Sequence, residues 1–145
     1  MADRLRQKDG LSYGAGSSFS ASARDGRGAL MINAICNPGN AGRVVKGVDE
    51  EVARILQDGV TEKELDLAKT GFSRQQEVRR SNDAALAGQL ASHLELGRTL
   101  RFDADLERTT RDLTPDSVAA ALRKHIVPKR LTVVVGGDVA PDLVH

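Results

Sequence analysis

The residues of this 145-residue chain that could do chemistry are three histidines, one cysteine, a run of serines and an arginine–tyrosine pair. The histidines are His93, His125 and His145. None has a second histidine four residues away, so no helix can offer two imidazoles to one metal ion. His93-Leu94-Glu95 is only a piece of such a pattern, and His93 reads as a packed or partly exposed structural residue beside a leucine stripe. His125 falls in the last turn of an expected helix, where a cation is mildly favoured. No metal site is expected within this chain. The serines at 12, 17, 18, 20 and 22 have no neighbouring histidine and no G-x-S-x-G elbow. Gly14-Ala15-Gly16-Ser17 lacks the lysine of a phosphate loop and does not open a helix. Cys36 closes an apolar run and reads as a packed, inert thiol; alone, it forms no internal disulfide.

One segment resists a bland account. It is Arg6-Gln7-Lys8-Asp9-Gly10-Leu11-Ser12-Tyr13. A charged helix end, a glycine stop and the start of a strand explain Gly10 and Leu11. They do not require Arg6 or Tyr13.

The elements that must position these residues follow from periodicity. Residues 12–24 alternate, with Tyr13, Ala15, Ser17, Phe19, Ala21 and Ala23 on one parity and only glycine or serine on the other up to Ser22. Such alternation predicts a strand with one apolar face and one face of very small residues, a face that another backbone can approach closely. Asp25-Gly26 is a turn signal, and residues 29–36 form a second strand, giving an antiparallel hairpin. Asn37-Pro38-Gly39-Asn40 breaks it. Val45, Val48, Val52 and Ile55 then share one helical face, ended by Gly59. Thr61-Glu62-Lys63-Glu64 is a capping box for a second helix, which turns Leu65, Ala68 and Phe72 inward and ends near Arg80.

A third helix is expected over residues 82–97, with Leu86, Leu90 and Leu94 inward, and a shorter one over 103–111. Thr114-Pro115 starts a last helix, striped by Val118, Leu122 and Ile126 and stopped by Pro128. Residues 131–135, Leu-Thr-Val-Val-Val, are apolar on both parities and read as a central strand. Strands, then helices, then a strand predict an α+β, two-layer domain: an antiparallel or mixed sheet with helices packed on one face. The length fits one domain over residues 1–145. Three strands cover a helical layer of this size poorly, which suggests a piece of something larger.

Composition narrows the function classes. Lys+Arg is 21 and Asp+Glu is 20, so the basic excess of a nucleic-acid or membrane-surface binder is missing. No apolar stretch approaches the roughly 20 residues of a membrane span, and the first residues hold no signal-peptide apolar region. Aromatics are 3% of the chain, so the core must come from Leu, Val, Ile and Ala.

The spacing R-x-x-x-G-L-x-Y, in Leu-Arg-Gln-Lys-Asp-Gly-Leu-Ser-Tyr, resembles the hallmark of the C-terminal domain of insulinase/pitrilysin-type zinc peptidases, a group that includes the mitochondrial processing peptidase. Further landmarks stand in the matching order: the Ser/Ala-rich hairpin, Gly-Val-Thr-Glu-Lys-Glu-Leu at 59–65, Leu-Thr-Pro-Asp-Ser-Val at 113–118, and Leu-Thr-Val-Val-Val-Gly-Gly at 131–137. The resemblance covers about residues 4–138.

It implies two homologous α+β halves closing a chamber. One half carries an H-x-x-E-H zinc motif, absent here. The other, this one, contributes an arginine and a tyrosine that hold the peptide, which by the spacing are Arg6 and Tyr13. A guanidinium suits carbonyl or carboxylate oxygens through its planar fork, and a phenol can donate to a developing oxyanion. The resemblance further implies that the family's upstream strand and helix are missing from this chain. The chain would be inactive alone and would bind no cofactor itself, its zinc lying in a partner half. An exposed sheet edge could add a second copy. A scaffold subunit that has lost catalysis is the alternative, and bacterial periplasm or cytoplasm is the setting that the resemblance suggests.

Overall fold

The computed structural model describes residues 10–139. Two strands open it: β1, Gly14–Ala21, and β2, Gly28–Ile35. Five helices follow: α1 (Ala41–Asp58), α2 (Glu62–Arg80), α3 (Asp83–Glu95), α4 (Leu100–Arg111) and α5 (Pro115–His125). The fold is α+β. The described residues divide into two compact units, one of residues 10–58 with 123–139 and one of residues 59–122.

In the first unit β1 and β2 pair antiparallel, with Ala15 opposite Ala34 and Phe19 opposite Leu30. The hairpin loop is longer than the two residues of Asp25-Gly26. The amide of Ser22 donates to the carbonyl of Arg27, and the Ser22 hydroxyl accepts from the amides of Arg24 and Asp25. The core is small. Leu11 and Val44 meet at its centre, with Ala15, Ala34, Cys36 and Val48 around them, so α1 covers one face of the hairpin. Arg123 donates to the carbonyls of Leu56 and Gln57, satisfying two of the acceptors that every helix leaves open at its C-terminus. Gly59 follows α1 at φ 73°, a left-handed stop that a side chain would strain.

Residues 131–135 depart from expectation. Among the described residues the sheet has two strands, and this run joins neither. A short 3-10 turn, Pro128–Arg130, delivers it. It lies along an apolar groove of about 380 Å³, shared with Leu30 and Ile32 of β2 and Val44 and Val48 of α1. β-branched residues report an extended, apolar backbone; they do not report which strand edge lies within bonding reach.

In the second unit, Thr61 caps α2 through the reciprocal box with Glu64, as its sequence requires. Asn82 caps α3, Thr99 caps α4, and Thr114 and Ser117 cap each other's amides at the start of α5. Leu65 is buried as expected, whereas Ala68 is exposed. The inward face of α3 differs from its leucine stripe. Gln89 and His93 are buried, while Leu90 is 45% and Leu94 84% exposed. A helix can turn only one such face inward. His93 reaches Asp103 of α4 at 2.6 Å, and that charge-assisted bond selects the polar face.

Candidate functional site

Tyr13 is the sequence-expected site residue that lies within the described chain; Arg6 lies outside it. Three successive residues place Tyr13. Leu11 is buried against Val44. Ser12 is 8% exposed, and its hydroxyl is buried with no hydrogen-bond partner. The amide of Tyr13 itself donates to the carbonyl of Ile35 at 2.8 Å, extending the β1–β2 ladder by one bond. The phenol ring, in contrast, is 71% exposed. A fixed backbone thus presents a free aromatic donor to solvent.

A third contact comes from the turn after β2. Pro38–Asn40 is a 3-10 turn, capped by Asn37, whose side chain accepts from the amide of Gly39 at 3.1 Å. The turn points the side-chain amide of Asn40 at the carbonyl of Leu11, 3.5 Å away. In the sequence, Asn40 reads only as part of a strand breaker. A contact 29 residues distant along the chain leaves no local signal.

The other candidates group differently. Cys36 is half-buried and lines the apolar groove. Ser17, Ser18 and Ser20 are exposed along β1. His93 and Asp103 form a largely buried pair, with Phe102 edge-on to the imidazole and Arg98 stacked 4.2 Å over Phe102. Asp103 entered the sequence reading only as a helix start, since ten residues of separation mark no pairing. His125 ends α5. Among the described residues no three His, Cys, Asp or Glu side chains converge to hold a metal ion. Asp25 at the hairpin tip is held below its ordinary pKa, chiefly by the Arg27 guanidinium and then by the Ser22 hydroxyl. Among the described residues no helix is long and apolar enough to cross a membrane.

Comparison with known proteins adds three findings. The family model described as "Peptidase M16 inactive domain" matches residues 1–72. A crystal structure of a peptidase M16 inactive domain from Pseudomonas fluorescens is similar at 31% identity and a TM-score of 0.74, over 87% of this chain and 29% of that one. The periplasmic protease PqqL from Escherichia coli shares the fold at 17% identity and a TM-score of 0.66, over 85% of this chain and 14% of that one. The chain therefore spans less than a third of the length of either solved relative. No curated protein matches it.

Proposed function

This chain belongs to the peptidase M16 inactive domain family, and from that membership we propose that it is the non-catalytic, peptide-holding half of a zinc endopeptidase. The observation that carries the proposal is Tyr13: its backbone is fixed by the ladder and the core, and its ring is free. A phenol held in this way donates to a peptide oxygen with little further ordering cost, which is where preorganised donors are most effective. Arg6, seven residues earlier, supplies a planar fork for a carbonyl or carboxylate of the same peptide. The zinc and its water-activating chemistry belong to a homologous partner half, and the substrate is an extended or unfolded polypeptide. A second copy adding to the hairpin edge is part of the same proposal. Light scattering that returns only a monomer at high concentration would remove that part.

The test joins this chain to its zinc-bearing half and follows cleavage of a quenched fluorescent peptide. Activity should need both halves. Arg6→Ala with Tyr13→Phe should lower kcat/KM at least about tenfold, or about 1.4 kcal/mol of lost transition-state stabilisation. Tight association with unchanged kcat/KM would instead make the chain a scaffold subunit.

A further inference from the structure

The Asn37-Pro38-Gly39-Asn40 turn both ends β2 and carries the contact to Leu11. We propose that its last residue, Asn40, is a positioning residue for Tyr13. The inference rests on the peptide-holding reading and deepens it. The contact of Asn40 is to the Leu11 carbonyl, two residues before Tyr13, from the turn that opens α1. Leu11 is anchored on its side-chain face by Val44 of the same helix. Tyr13 is anchored by the Ile35 carbonyl at the end of β2. Ser12, between them, is buried, and its hydroxyl has no partner. The peptide units leading into Tyr13 are therefore held from two directions, by the β2 ladder on one side and by Asn40 on the other. Without Asn40, a polar backbone that is partly buried loses its side-chain donor, and the Tyr13 ladder bond and the Leu11–Val44 contact are left to hold the end of β1. Strand ends fray most readily where bonds are fewest.

The chain carries one tyrosine and no tryptophan, so its ultraviolet emission reports Tyr13 alone. The experiment measures time-resolved emission anisotropy of Tyr13, and amide exchange across residues 11–14, in the full 145-residue chain. Wild type is compared with Asn40→Asp, which keeps the shape and removes the donor, and with Asn40→Ser as a milder second variant. An unlabelled peptide without aromatic residues is then titrated into each. Circular dichroism confirms that helix content is retained.

We expect faster local motion of Tyr13 and faster exchange of its amide in both variants. Peptide affinity should weaken by less than about fivefold, the effect of one typical net hydrogen bond, because the Asn40 contact is long at 3.5 Å. Unchanged anisotropy and exchange, with peptide still shifting Tyr13 emission in wild type, would overturn the role of Asn40 and leave the peptide reading intact. A loosened Tyr13 whose wild-type emission ignores the peptide would overturn the peptide reading, and the positioning role with it.

Discussion

The two compact units use their buried polar groups differently: the Glu51–Arg54 pair stays within one helix, whereas His93–Asp103 joins two. The hairpin unit buries the aliphatic Leu11, Ala41, Val44 and Val52 and, with them, Ser12 and Glu51, the latter bonded to Arg54 on its own helix. The helical unit buries Leu65 and Ala119, but also Gln89 and His93, and joins α3 to α4 through the His93–Asp103 bond. Aliphatic contact is non-directional and tolerates small shifts. A buried polar pair is directional and fails if either member is lost. The Leu11–Val44 centre of the first unit should therefore be sensitive to volume, and the α3–α4 contact of the second to chemistry at nearly constant volume.

The largest effect expected is on the volume side. Leu11→Ala empties the centre of the small core and should cost about 3 kcal/mol, read as a lower urea midpoint. A cost under about 1 kcal/mol would show that the hairpin core is slack and would dissolve the contrast. On the chemical side, Asp103→Ala leaves His93 buried without its partner and should cost about 2 kcal/mol. Replacing both residues by leucine should recover most of that loss. If the double variant is no better than the single one, the pair is held by packing, and the second unit resembles the first.

Thr61→Ala should cost about 1 kcal/mol by opening the capping box of α2, with faster exchange at the Glu64 amide as its local signature. The smallest effect belongs to Asp25 at the exposed hairpin tip. Its carboxyl is held below the ordinary aspartate pKa in the folded chain. The contact with Arg27 is thus present above the unfolded value and lost as pH falls through the lowered folded one. In an NMR titration, Arg27→Ala should move Asp25 back up toward the ordinary value.

Legibility in the sequence follows the same division. The hairpin, α1 and the α2 capping box were readable because alternation, period and box are local signals whose outcome is apolar burial or a cap within four residues. The face of α3 was not. Its leucine stripe is real, yet His93 turns inward to a carboxylate on another helix, and spacing carries no trace of that partner. Residues 131–135 were read as a central strand and pair with neither strand, because pairing depends on a neighbour's free edge, which composition does not encode. Tyr13 was legible as a residue type in a motif. The fixed backbone beneath its free ring was not, because its supports, Val44 and Asn40, lie some thirty residues further along.

One consequence concerns the order in which the chain is made. The bonds from Arg123 to Leu56 and Gln57 join residues 67 and 66 positions apart. The unit that begins with the hairpin is thus interrupted, and the continuous helical unit is inserted within it. During synthesis from the N-terminus, residues 59–122 can pack as they emerge, since their contacts are local. The core of the hairpin unit lies within residues 11–52 and can pack earlier still, but the last carbonyls of α1 stay open to water until residue 123 leaves the ribosome. A released chain ending at residue 122 would hold the insert inside an unfinished host, with Leu30, Ile32, Val44 and Val48, which residues 131–135 otherwise flank, as the apolar surface that a chaperone would meet.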